Sequence, residues 1–195
     1  MKELFAVAAA LIAVAGNAPY VWQILKGVVR PHPYTWLVGT IVTGIVFFGQ
    51  VAAGAGIGAL PTAASGMFTA AIFLLSLKYG YKAITKSDIV FLALALGALV
   101  PWLMTKDPTL SVVLAVSIDL ISFVPTVRKT WLRPRTEAPV LYGSNVLRHA
   151  LALVSLQSYN ITTALHSVVM IVVNIGMMFL IVVRRRGERG RNTLV

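Results

Sequence analysis

Two charged side chains of this 195-residue sequence fall where water is scarce: Asp119 and Arg148. Each lies near the centre of a long apolar segment, and an Asp or Arg at the middle of a bilayer costs about 2.5–3.5 kcal/mol on insertion scales. Such groups face a partner or a wet cavity rather than lipid. The two segments are consecutive and antiparallel, so both side chains reach the same depth, and they are expected to pair or to share a polar pocket. One reading is a buried salt bridge that fixes helix packing. The other is a substrate site in which Arg148 holds an anionic or hydroxylated solute while Asp119 takes up a proton.

Arg148 belongs to a stripe. Asn145, Arg148, His149, Ala152 and Ser155 recur every three to four residues, which places them on one helix face. A polar stripe turned to lipid is prohibitively costly, so this face is expected to point into the protein. His149 titrates near neutral pH in its ordinary state and is a candidate ligand or proton carrier. His166 reads as an interfacial group toward the outer end of the last apolar segment. Asn174, near the middle of that segment, is placed to hydrogen-bond another helix. The first half of the chain has only Asn17, Thr43, Gln50, Ser65 and Thr69 at depth, and its positions matching Asp119 and Arg148 are Ala13 and Val42.

Other chemistry is poorly served. Without a single Cys there is no disulfide, thiol nucleophile or thiolate metal site, and three His with one deep Asp do not make a metal or hydrolytic constellation. No enzymatic activity, metal or cofactor is expected. A retinal protein needs a lysine in its seventh helix, and the stretch from His149 to Val183 has none.

The elements that carry these residues follow from composition. The chain is 58% hydrophobic and 12% charged, against about 25% charged residues in a soluble domain. Its apolar content sits in long charge-free runs, from Pro31 to Leu77 and, with His counted neutral, from His149 to Val183, each exceeding the roughly 20 residues that span a bilayer. We expect an all-α membrane protein with seven transmembrane helices at about 3–26, 34–53, 60–79, 88–104, 109–131, 139–158 and 162–183. Gly54, Gly56, Gly58 and Pro61 supply the turn between the second and third. Only short loops and a basic tail are left outside the membrane.

The net charge of +11 divides unevenly between the two sides of that arrangement. Lys2 and Lys106 fall on one side; fourteen Lys and Arg, including the run from Arg184 to Arg191, fall on the other. By the positive-inside rule the N-terminus is outside and the C-terminus cytoplasmic, as in a multi-pass protein of the plasma (inner) membrane. The charge therefore speaks of orientation and anionic lipid rather than of nucleic acid, which is not expected as a partner.

Pro19 and Pro33 are separated as Pro125 and Pro139 are, which defines an offset of 106 residues. The same offset aligns Ile12 with Ile118, Val21 with Val127, Trp36 with Tyr142, Phe73 with Phe179 and Lys78 with Arg184. It superposes three helices on three, giving a 3+1+3 plan of parallel triple-helix-bundle repeats: a first bundle over 1–81, an inverting linker helix over 82–107, a second bundle over 108–184 and a basic cytoplasmic tail over 185–195. This counterpart later in the chain argues against reading the first segment as a cleaved signal. Repeats so joined are a transporter signature, with the substrate site between them near mid-bilayer. Pro19 and Pro125 lie inside helices one and five and break a backbone hydrogen bond there; matched in position, they read as gating hinges or as static kinks.

On these residues the chain resembles the SWEET, SemiSWEET and PQ-loop membrane proteins, a group that also includes the non-transporting KDEL receptor. The stretches Pro19-Tyr-Val-Trp-Gln-Ile-Leu-Lys26 with Pro33-Tyr-Thr-Trp36, and Pro125-Thr-Val-Arg-Lys129 with Pro139-Val-Leu-Tyr142, are similar to two PQ-loop repeats in which Tyr20 and Thr126 replace the Gln. The resemblance implies alternating-access transport of a small solute such as a sugar or amino acid. It also implies an asparagine of the substrate pocket at Asn174 and a stacking aromatic at Phe48. Gln50 and Gln157, at near-equivalent positions at the outer ends of helices two and six, read as gate residues or as groups that end a span. Gly39, Gly44, Gly49 and Ala53 read as close-packing positions. The expected activity is that of a carrier for a small polar solute, whether sugar, amino acid or organic anion, with proton coupling left open. The alternative is a ligand-binding receptor or sorting protein on the same fold. A homo-oligomer is compatible with the sequence.

Overall fold

Uncharged segments punctuated by Pro and Gly become helices here, and every regular element among the described residues is helical. A computed structural model describes residues 1–27, 31, 33–80, 86–97, 100, 104, 107–132, 134 and 139–192. The helices are α1 (Lys2–Leu25), α2 (Pro33–Ala52), α3 (Leu60–Tyr79), α4 (Lys86–Gly97), α5 (Pro108–Leu132), α6 (Pro139–Ser155) and α7 (Ile161–Asn192), with a 3-10 turn at Gly56–Ala59. Among the described residues three stretches are long and apolar enough to cross a bilayer: Lys2–Leu25, Gly56–Tyr79 and Ile161–Gly187.

The helix ends have local causes. Gly27 adopts a left-handed φ of 70° and donates to Ile24 O, closing α1. Gly54 and Gly56, with φ of 77° and 58°, make the turn read from the sequence between α2 and α3. Pro33, Pro108 and Pro139 each open a helix, where a missing N–H is least costly. Asp107 caps α5 by accepting from the Thr109 and Leu110 amides. Asn160 and Thr163 cap α7 reciprocally, each side chain accepting from the other's backbone N–H at 3.0 Å.

α1 and α5 run through Pro19 and Pro125, in line with the expected spans 3–26 and 109–131. Two expectations about extent need adjustment. α6 stops at Ser155 rather than 158, because the chain must turn to reach the Asn160 cap. α7 continues past Val183 to Asn192; the arginine run does not end the helix, since Arg is a good helix former. The expected end of helix four, 98–104, lies largely outside the described residues.

α3 packs against both α1 and α2, and α7 against both α5 and α6. Between these groups α1 lies on α6 and α2 on α5, while α4 touches α2 and α5. The α2–α5 seam is dry: Val38, Val42, Ile45 and Val46 meet Ala115 and Ile118. Three of the four buried positions on α1 are alanines, Ala6, Ala9 and Ala13, the fourth being Ile24; the small side chains let neighbouring helices approach closely.

The outer surface, rather than the core, departs from that of a soluble protein. Large apolar side chains point outward, among them Leu11, Met67, Leu74, Val172 and Phe179, while Gln50, His149, Ser155, Thr163, Ser167 and Asn174 are buried. An outer surface of this kind has lipid as its natural solvent, with polar groups collected inside.

Candidate functional site: a polar chain across four helices

The stripe on α6 faces inward, as its spacing requires. His149, Ala152 and Ser155 are buried and Asn145 and Arg148 partly so, whereas Leu147 and Val154 on the opposite face are exposed. Arg148 is the tenth of the seventeen residues of α6, and so sits at mid-helix.

From Arg148 a chain of polar contacts runs in two directions. Toward the first half of the molecule, Nη1 donates to Ser65 Oγ of α3 at 2.6 Å. Ser65 has its own hydroxyl proton committed to Pro61 O at 3.0 Å, which leaves a lone pair for the guanidinium. Toward the second half, Nη2 lies 2.7 Å from His149 Nε2. A guanidinium only donates, so this nitrogen of His149 is the acceptor and Nδ1 carries the proton, directed at Ser167 Oγ of α7 at 3.3 Å.

The second histidine extends the chain. The rings of His149 and His166 meet edge to face with centroids 5.5 Å apart. His166 Nε2 then lies 3.5 Å from Asp119 Oδ2 on α5, a separation for an ion pair rather than a short hydrogen bond. His166 Nδ1 is buried without a partner. The sequence therefore runs Ser65, Arg148, His149, then Ser167 and His166, then Asp119, through α3, α6, α7 and α5.

Asp119 and Arg148 stand at two ends of these contacts, with the two histidines between them. Among the described residues no carboxylate lies within salt-bridge reach of Arg148; its partners are a hydroxyl and an imidazole. His166, read as an interfacial group, is a central member, and Ser167 was not anticipated. Ser65 was noted only as a deep polar residue. A serine back-bonded to its own helix looks the same in sequence whether or not it also accepts from a neighbour, whereas the adjacency of His166 and Ser167 was a usable signal.

The remaining candidates are dispersed. Asn174 is buried one turn and more beyond Met170, to whose carbonyl its Nδ2 donates at 2.6 Å, and its Oδ1 is buried without a partner. Phe48 is 54% exposed and packs edge-on against Phe47, a position on the outer surface rather than in an enclosed pocket. Pro19 lies within α1, and the Tyr20 ring beside it stacks at 5.3 Å on Trp36 near the start of α2. Pro33, Pro139 and Pro125 hold the helical positions given above.

Gln50 and Gln157 lie at the end of the bundle that carries the N-terminus. Gln50 is fully buried and donates to Thr163 O at 3.0 Å, with Oε1 left unpartnered. Gln157 is exposed; its amide donates to Ala55 O at 3.1 Å and its side chain lies over Gly56. Two further bonds join the same two halves there: Lys2 Nζ to Leu156 O at 2.7 Å, and Asn160 Nδ2 to Ala53 O at 3.1 Å. Beside them a cleft of about 380 Å³ is lined by Ala53, Pro108, Thr109, Asn160, Ile161 and Thr162. Among the described residues no group of three or more His, Asp or Glu is arranged to hold a metal ion.

Compared with protein-family models, with curated proteins and with solved structures, the chain matches none.

Proposed function

We propose that this chain is an integral membrane carrier that moves a small polar solute by alternating access between two three-helix bundles. In this reading it spans the plasma membrane seven times with its N-terminus outside, and α4 is the linker that keeps the bundles parallel. The neighbour pattern supports the repeat: the third helix of each triplet packs on the first and second, and the first helix of each crosses to the second of the other.

The observation that carries the proposal is the chain from Ser65 to Asp119. Polar groups inside an apolar-coated helical bundle are costly, and their usual reason is a pathway or binding site. This one crosses from the first triplet to the second at the Ser65–Arg148 contact, the interface at which repeat-built carriers bind solute. The α2–α5 contact, by contrast, is filled with aliphatic side chains, so the contacts between the two triplets differ in polarity.

Reconstitution tests it. Purified protein in liposomes should take up at least one member of a panel of sugars, amino acids and organic anions above protein-free vesicles. Binding of a solute with no movement of it, in either orientation or with either sign of proton gradient, removes the carrier reading in favour of a receptor.

A further inference from the structure

We propose that the solute is an organic carboxylate whose negative charge docks on Arg148, and that it travels with one proton held at the His166–Asp119 pair. This rests on the carrier reading and names the substrate class of its site.

The argument begins with unmet hydrogen-bonding capacity. Arg148 engages one N–H of Nη1 and one of Nη2, both with neutral partners, and a guanidinium has further donors in the same plane. Held at mid-helix among apolar helices, a cation with donors to spare and, among the described residues, no carboxylate against it is a site for an anion that presents two oxygens side by side. Ser65 and His149 anchor the guanidinium from two helices, so that its free edge is held in place before the solute arrives.

Charge balance then brings in the proton. By formal charge Arg148 counts +1 and Asp119 −1, and His149 counts zero because it accepts from Arg148. A bound carboxylate leaves the cluster at −1, and moving a net charge through an apolar bundle is costly. One proton restores neutrality. His149 Nε2 is occupied, whereas His166 has a buried, unpartnered Nδ1 and a carboxylate beside Nε2, so the pair of His166 and Asp119 is where that proton resides. The groups facing His166 are Asp119 from α5 and His149, backed by Arg148, from α6; α2, which also touches α7, contributes no charged residue.

The test uses matched probes that differ by one charge: gluconate against glucose, propionate against propionamide, and lactate against lactamide. Binding is read as thermal stabilisation of the full chain in detergent, and transport as uptake into liposomes. At least one carboxylate should bind and accumulate under an inward proton gradient, and its neutral partner should bind at least tenfold more weakly. Arg148→Gln should lower carboxylate uptake at least tenfold, with Arg148→Lys retaining part of it. Ser65→Ala, which keeps the charge, should weaken binding a few-fold. His166→Gln should remove the dependence on the gradient while leaving binding detectable. Uptake of a neutral probe undiminished by Arg148→Gln overturns the anion assignment and leaves the carrier standing. Carboxylate binding without transport removes the carrier and leaves the site. A panel in which no carboxylate binds overturns the assignment, and carboxylate uptake that carries net charge and ignores the gradient overturns the proton.

Discussion

Arg148 Nη2 stands 2.7 Å from His149 Nε2, and since only the histidine can accept, the arginine fixes which nitrogen of the ring is bare. At pH 7 the His149 ring should give the ¹⁵N NMR pattern of the neutral tautomer protonated on Nδ1. In Arg148→Gln, where an amide replaces the obligatory donor, that pattern should give way to a mixture. An Nε2-protonated ring in the unmodified protein is incompatible with the contact.

His166 and Asp119 act as a pair across α7 and α5. Asp119→Asn and His166→Gln should each be destabilising, and the double variant less so than their sum, with a coupling of about 1 kcal/mol in a double-mutant cycle. Asp119→Asn should also abolish gradient-driven accumulation of solute. Strict additivity of the two substitutions means that the residues do not interact.

Glycines of α2 that look alike in sequence differ in space. A Cβ on Gly49 meets Val112 Cγ2 at 2.6 Å, while Gly39 and Gly44 have nothing within 4 Å. Gly49→Ala should cost about 1–3 kcal/mol by overpacking the α2–α5 contact, and Val112→Ala should recover much of it. Gly44→Ala should be neutral or slightly stabilising, because it restricts the unfolded chain without a clash. Thermal unfolding in one detergent ranks the three.

The bond from Asn160 to Ala53 O joins the two halves at the end carrying the N-terminus. The chain has no native Cys, so the double variant Ala53→Cys with Asn160→Cys offers a cross-link free of background. Oxidation should join the pair and stop uptake, and reductant should restore it. Unimpaired uptake by the fully cross-linked protein separates this contact from the transport cycle.

Residues whose burial is costly were the ones legible in sequence. Arg148, His149 and Asp119 stand out from an apolar background, and the α6 stripe has a periodicity that leaves one orientation open; its inward face follows from the cost of lipid contact. Gly54, Gly56 and the helix-opening Pro33 and Pro139 were legible because backbone geometry restricts which residue can stand there. Partner choice was less accessible. Asp119 lies against His166 because α5 and α7 are neighbours, a matter of tertiary packing that helix depth alone does not determine. The role of Ser65 was hidden because a hydroxyl in a helix can satisfy itself on its own backbone. The dispersal of Phe48 has the same origin: depth along α2 is set by counting residues, but its facing is set by the neighbours α2 acquires.

The unbroken length of α7 makes it a lever. It packs against both α5 and α6, holds the Gln50 contact at Thr163 and, near its other end, grips Trp131 O through Arg184 and Pro134 O through Arg185. At 1.5 Å per residue, roughly 33 Å of rigid rod separates Thr163 from Arg185. A tilt of about 5° at the Gln50 end would swing the arginine end by roughly 3 Å over that arm, about the length of one hydrogen bond. A tilt of that size about the Gln50 contact would be enough to carry the guanidinium clasps at the other end of α7 out of hydrogen-bond reach.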